Sequence, residues 1–150
     1  EELRNGMLLF FTGIERESFD ILSQQQQDTE QGNQKVVDSL HEVKRIGYAI
    51  KEALEQEDLE SFGRLLDEHW QMKKRRSNKM SNATIDHWYE AAIECGALGG
   101  KILGAGGGGF LMFFCAAEHR QQLRQRMASE GLREINFQFD MEGVKVLVNL

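Results

Sequence analysis

The chain has 150 residues, 41% apolar and 28% charged, which is enough material for one packed core and the balance of a globular protein. Its formal net charge of -6 excludes a general nucleic-acid surface, which needs Lys and Arg clustered over much of a face. Cys95 and Cys115 form no C-x-x-C pair and no paired Cys/His ligand spacing, so neither a zinc site nor a disulfide framework is suggested, and no apolar run reaches the roughly 18–20 residues of a membrane span, so a reduced cytoplasmic protein is expected.

The chain opens Glu1-Glu2-Leu3 and enters an apolar segment almost at once, so a piece of a longer protein is expected. Met7-Leu8-Leu9-Phe10-Phe11 is a continuous apolar run ending at Thr12-Gly13, the pattern of a buried strand and a turn. Residues 18 to about 27 form a candidate helix with Phe19, Ile21 and Leu22 on its apolar side and Gln24–Gln27 as exposed surface. From Asn33 onward Val36, Leu40, Val43, Gly47, Ile50 and Leu54 recur at spacings of four and three, which predicts a long amphipathic helix. Gly47 on that stripe predicts the close approach of another element.

Asp58 is a candidate cap for the next helix, whose apolar face runs Leu59, Phe62, Leu66, His69 and Trp70 and continues to Lys73. Ser77–Asn82 interrupts the period, and Ser81 or Asn82 can cap a helix carrying Ile85, Trp88, Tyr89, Ala92 and Ile93, with Gly96 as its stop. A glycine-rich stretch follows, then a strand at Phe110–Cys115 and a helix from about Glu118 to Ser129, with Leu123 and Met127 inward and Gly131 beyond its end. Ile135, Phe137 and Phe139, then Val144, Val146 and Val148, alternate around Glu142-Gly143 as in a β-hairpin. The element order predicts an α+β fold, a small antiparallel sheet of about four strands packed with helices, in one domain over residues 1–150.

The glycine-rich stretch runs Gly99-Gly100-Lys101-Ile102-Leu103-Gly104-Ala105-Gly106-Gly107-Gly108-Gly109. So many glycines permit positive φ and close approach of a ligand or another backbone, at an entropic cost of about 0.5–1 kcal/mol each relative to alanine in regular structure. Gly104, Gly106 and Gly109 satisfy G-x-G-x-x-G, but that dinucleotide motif opens a helix and here an apolar strand follows. Gly104 and Gly109 also have the Walker A gap, yet Phe110 and Leu111 stand where Lys and Ser/Thr are required. Two readings remain: a tight turn between packed strands, or a loop lying against a phosphate-bearing ligand or a partner loop.

Gly100–Phe110 resembles the third, C-terminal motif of the GHMP kinases, the superfamily of galactokinase, homoserine kinase, mevalonate kinase and phosphomevalonate kinase. Leu9-Phe10-Phe11-Thr12-Gly13-Ile14-Glu15-Arg16 and His69-Trp70-Gln71-Met72-Lys73-Lys74 resemble segments of the branch that phosphorylates D-glycero-D-manno-heptose 7-phosphate at its anomeric position. The resemblance covers essentially the whole chain, as a ferredoxin-like C-terminal domain. It implies a two-domain kinase with its active site between the halves, whose N-terminal half holds the ATP phosphates on a Pro-x-x-x-Gly-Leu-Gly-Ser-Ser loop and supplies the acidic catalytic and magnesium-binding residues. This chain has no such loop and no proline. ATP and Mg2+ are therefore expected only in the intact parent, with no catalytic residue and no metal ligand in this chain, which alone is expected to be inactive. Gly104, Ala105, Gly106, Gly107, Gly108 and Gly109 would pack beside the missing phosphate loop.

Lys73-Lys74-Arg75-Arg76 with Lys79 is the concentrated positive region. One reading is cations at a helix C-terminus complementing the macrodipole, worth about 0.3–1 kcal/mol each. The other is that some of them hold a sugar phosphate through charge-assisted hydrogen bonds. Lys73 is the first candidate because it extends the apolar stripe inward, and Lys74 shares its cluster. Arg16 is a candidate by the heptose-kinase resemblance, against an exposed arginine before a helix. Lys101 can reach either the cleft or solvent. His69 reads as a hydrogen-bonded core histidine ahead of a general base, and Trp70 and Trp88 as core ahead of sugar-stacking surfaces.

The expected function is transfer of the ATP γ-phosphate to a sugar hydroxyl, the anomeric hydroxyl of a heptose 7-phosphate. The alternatives are a non-catalytic ligand-binding or assembly module of the same fold, or a galactose-, fucose- or mevalonate-type substrate. Expected partners are the N-terminal domain and a small sugar phosphate, with no nucleic acid or membrane, and self-association would follow from an uncovered interdomain face.

Overall fold

The computed structural model describes residues 1–14, 34–76, 80–104 and 107–143. A short helix α1 (Glu2–Gly6) leads into β1 (Met7–Phe11), and two long helices follow, α2 (Gln34–Glu55) and α3 (Leu59–Arg76). Then come α4 (Ala83–Glu94), β2 (Ala97–Ile102), β3 (Phe110–Cys115), a single 3-10 turn at Ala117–His119, α5 (Arg120–Ser129) and the two-residue β4 (Arg133–Glu134). The strands form one antiparallel sheet in the order β2-β3-β1-β4, the ferredoxin-like arrangement, so the α+β expectation holds.

The apolar run of β1 follows from its place inside the sheet, paired on both sides. Leu8 stands opposite Phe113 and Phe10 opposite Leu111, and all four are buried against α4 and α5 through Ile85, Tyr89, Ala92, Leu123 and Met127. Each such side chain contributes about 1.5–3 kcal/mol relative to exposure. On the other face Met7, Leu9 and Phe11 align with Phe114, Met112 and Phe110. Phe114 meets Phe62 of α3 edge-on at 5.3 Å in a second cluster with Ala53 and Leu66. Towards Phe11 this face opens, and Phe110 is 38% exposed.

α3 runs against β2 so closely that a Cβ on Gly63 would lie 2.6 Å from Leu98 Cβ, and one on Gly99 would strike the Gly63 carbonyl and the Asp67 amide. The outer edge of β2 is capped chemically as well. The Gly100 amide donates to the Tyr89 hydroxyl (3.2 Å), which donates to Asp67 Oδ1 (2.7 Å), so the edge strand offers no free template there. Burial, reinforced by Asp67, pushes the Tyr89 phenol well above its ordinary range. Two predicted caps are in place: Asp58 accepts from the Ser61 amide and Asn82 from the Ile85 amide, both at 3.0 Å. Cys95 and Cys115 are free and buried, and burial pushes the Cys115 thiol up to about 11. Among the described residues no helix is long and apolar enough to cross a membrane.

Two expectations are corrected. On α2 the buried residues are Val36, Ile46 and Ala53, whereas Leu40 is 39% exposed and Gly47 faces open space. Val36, Ile50 and Leu54 of the predicted stripe do face inward, and Ile46 takes the buried place beside Gly47 because it has a side chain to bury and glycine has none. The hairpin also fails over its first arm: β4 stops at Glu134, the Ile135 amide donates once more to Leu9 O (2.8 Å), and 136–143 leave the sheet. There the Asp140 carboxylate accepts from the Glu142 amide at 2.8 Å, a local turn that competes with a ladder, and Phe137 packs on Phe139. Val144, Val146 and Val148 lie outside the described residues, as do the candidate helix at 18–27 and its glutamine run.

Candidate active-site loop

Residues 103–109 join the antiparallel neighbours β2 and β3, and the ladder reaches one bond into them, from the Leu103 amide to Phe110 O at 2.9 Å. Beyond that bond the loop is held from three sides. The Thr12 amide and hydroxyl both donate to Gly109 O at 2.9 Å, while the Gly109 amide donates back to Ile14 O at 2.8 Å. The Thr12 hydroxyl also accepts from the Ile14 amide (3.2 Å), which fixes the turn after β1. The Gly107 amide donates to Met80 O at 2.9 Å, in the segment before α4. From the C-terminal part of α3, Lys73 Nζ donates to Gly104 O at 2.6 Å.

This geometry explains the glycines. A Cβ on Gly108 would lie 2.6 Å from Ile14 O and 2.8 Å from Ile14 Cγ2, so a side chain there would break the seam with the β1 turn. Gly104 has open space around it but a φ of +77°, where an L side chain costs about 1–2 kcal/mol. The close neighbour implied by the glycines is thus, for Gly108, the chain's own Thr12–Ile14 turn. The amides of Gly107 and Gly109 are spent on protein carbonyls, so these two do not form a phosphate-cradling nest. Among the described residues no three His, Cys, Asp or Glu side chains converge as a metal site.

Lys73 is 8% exposed, so the inward stripe of α3 does carry it into the interior, directly beneath the loop. Lys74 points elsewhere: its ammonium pairs with Asp86 Oδ1 at 3.0 Å and lies 6.0 Å from the centre of the Trp70 ring. Asp86 also accepts from the Ser81 hydroxyl (2.9 Å), so Lys74 belongs to the joint between α3 and α4. Lys101 stands opposite Met112, on the sheet face shared with Leu9, half-buried, and burial lowers its pKa. Trp70 is fully buried 5.9 Å from the Tyr89 ring, Trp88 packs on the same core, and His69 is half-buried on the same helix. Arg16, Ala105 and Gly106 lie outside the described residues.

The anchors Thr12, Ile14 and Met80 were not among the predicted site residues. A hydroxyl residue at a strand end beside glycine is a signal of a side-chain-stabilised turn. Met80 acts through its carbonyl, for which residue type carries no signal. A cavity of about 590 Å3 lies at the opposite end of the sheet, bordered by Gly6, Leu98, Phe114 and His119, away from the loop.

Residues 50–133 match the GHMP kinases C-terminal family. Over 144 residues, 96% of its length, the chain is 34% identical to the D-glycero-alpha-D-manno-heptose 7-phosphate kinase of Campylobacter jejuni, of which it covers 42%. A crystal structure of a candidate sugar kinase from Campylobacter jejuni aligns with a TM-score of 0.63 and 32% identity, covering 96% of this chain and 39% of that one. The Lin0012 protein of Listeria innocua aligns with a TM-score of 0.81 at 18% identity over 88% of this chain and 38% of its own, a likeness of fold. The chain spans about two-fifths of the length of these relatives. It belongs to the GHMP kinase family, as a C-terminal domain.

Proposed function

We propose that this GHMP kinase C-terminal domain is the substrate side of an ATP-dependent sugar-phosphate kinase that transfers the γ-phosphate of ATP to the anomeric hydroxyl of a heptose 7-phosphate. The observation that carries the reading is the similarity to a heptose 7-phosphate kinase along 96% of the chain. The glycine loop supports it chemically. Phosphoryl transfer depends on positioning and charge stabilisation, and a loop fixed to β1, α3 and the α3–α4 joint is a rigid wall against which a second domain can close.

With Gly107 and Gly109 amides engaged and no acidic cluster among the described residues, these residues do not fit a triphosphate or Mg2+ cradle of their own. In this proposal ATP and Mg2+ are held by the N-terminal half, where they supply the transferable phosphoryl group and its charge neutralisation. Lys73 and Lys101 place positive charge at the loop and on the open sheet face for the substrate's phosphate, with Arg16 a further candidate. Lys74 is committed to Asp86.

The test is a panel of sugars and sugar phosphates offered with ATP to the full-length parent. Heptose 7-phosphate is expected to give the highest kcat/KM, and the 150-residue chain alone no turnover. Preference for galactose, fucose or mevalonate overturns the substrate assignment. Turnover by the isolated chain overturns the division of labour between the halves.

A further inference from the structure

On the edge of the sheet away from β2, the chain after β4 leaves β1 and opens a cavity of about 300 Å3 beside Met7 and Leu9. Arg4 of α1 and Arg120 and Arg124 of α5 line it, together with Asn5 and Asn136. Glu134 is the single carboxylate in its wall, and it is already taken, accepting from Arg124 Nε at 2.9 and 3.0 Å. Arg4 and Arg120 have no ion pair or hydrogen bond among the described residues, and the Nε of Arg120 is buried without a partner. Three guanidinium groups thus share a polar cavity with one engaged carboxylate, in a chain whose net charge is -6.

Uncompensated like charges facing one cavity repel, and a buried guanidinium nitrogen without an acceptor carries a desolvation cost. An oxyanion within reach of these groups lowers both costs, since the guanidinium fork of N–H donors matches phosphate geometry. Arg120 also borders the cavity of about 590 Å3. Carboxamides at the rim add neutral donors.

We propose that this arginine-lined cavity is an anion-binding site for the phosphate group of a small phosphorylated molecule, separate from the glycine loop and independent of the kinase reading.

The test is a two-dimensional NMR titration of the isotope-labelled 150-residue chain with inorganic phosphate and, separately, with a hexose 6-phosphate, each at ionic strength held constant with sodium chloride. Saturable shifts of the Arg4, Arg120 and Arg124 Nε–Hε signals and of the amides of 134–138 are expected, with at least tenfold weaker binding in Arg4→Gln and in Arg120→Gln. Arg64→Gln, an exposed arginine paired with Glu60, is expected to bind as the unmodified chain does. Tighter binding of the hexose phosphate supports a phosphate-ester site, and tighter binding of inorganic phosphate overturns that assignment in favour of the free anion. Arg4 is exposed, so its variant reports on binding even if Arg120→Gln does not fold. Linear shifts that sodium chloride reproduces, or unchanged affinity in Arg4→Gln, overturn the proposal.

Discussion

Lys73→Met tests the ammonium group beneath the glycine loop. Methionine keeps an apolar stem of similar length in the stripe of α3 and removes the ammonium that donates to Gly104 O. A hydrogen bond involving a charged group contributes about 1.5–3 kcal/mol. Gly104 is exposed, so its carbonyl can regain water, which places the loss near the lower figure. About 1.5 kcal/mol lowers Tm by roughly 3–6 °C in a chain of this size. It also raises the exchange rate of loop amides whose opening it controls about tenfold. The readout is hydrogen exchange at the Gly107 and Gly109 amides, compared among the unmodified chain, Lys73→Met and Lys73→Arg, with the arginine variant recovering part of the protection. Unchanged exchange and unchanged Tm in Lys73→Met would refute the view that Lys73 sets the loop. In the full-length parent, on the proposed kinase reading, Lys73→Ala then separates two roles. A rise in KM for the sugar phosphate far above that for ATP marks direct phosphate binding, and a fall in kcat with both KM values little changed marks action through the loop. Equal small effects on both KM values reject phosphate binding.

Gly99→Ala is expected to destabilise by about 3 kcal/mol, the upper end for overpacking, because the obstacles are the Gly63 and Asp67 backbone and neither can rotate away. Gly47→Ala, in open space within a helix, is expected to stabilise by about 0.5–1 kcal/mol, and urea midpoints measure both. Tyr89→Phe leaves the Gly100 amide without its hydroxyl acceptor and is expected to cost about 1–3 kcal/mol. The phenol's folded pKa lies above its unfolded value of about 10, so its contribution is complete below pH 10 and is lost as pH rises beyond that, when the unfolded chain ionises first. Denaturation curves between pH 8 and 11 should show this decline in the unmodified chain and a shallower one in Tyr89→Phe. Parallel declines would refute the link.

Elements whose side chains state their own environment were legible in the sequence. The run Met7–Phe11 announced an interior strand, Asp58 and Asn82 announced two helix starts, and the stripe through Phe62, Leu66 and Trp70 carried Lys73 inward. The α2 face was misplaced at Leu40 and Gly47 because a spacing of four and three fits two neighbouring stripes, and only the packed partner decides between them. At the C-terminal end, alternation from Ile135 to Phe139 could not reveal that the Asp140 side chain takes the Glu142 amide for a local turn. The glycine stretch signalled close contact without naming all its neighbours, because at Ile14 and Met80 the hydrogen bonds are made by backbone, which carries no residue-specific mark.

The order of the loop therefore comes from outside it. Glycine resists fixing more than any other residue, and the described bonds that fix Gly104, Gly107 and Gly109 come from the β1 turn, from Lys73 on α3 and from the carbonyl of Met80. Three of the anchoring residues, Thr12, Ile14 and Lys73, belong to the segments that resemble the heptose-kinase branch. The candidate substrate-binding Lys73 and the loop are in this way parts of one mechanical unit. A change in the turn after β1 or at the end of α3 moves the wall as well as any ligand contact those segments make. Substitutions there should be read by loop exchange and by kinetics together, since kinetics alone cannot separate a lost contact from a displaced wall.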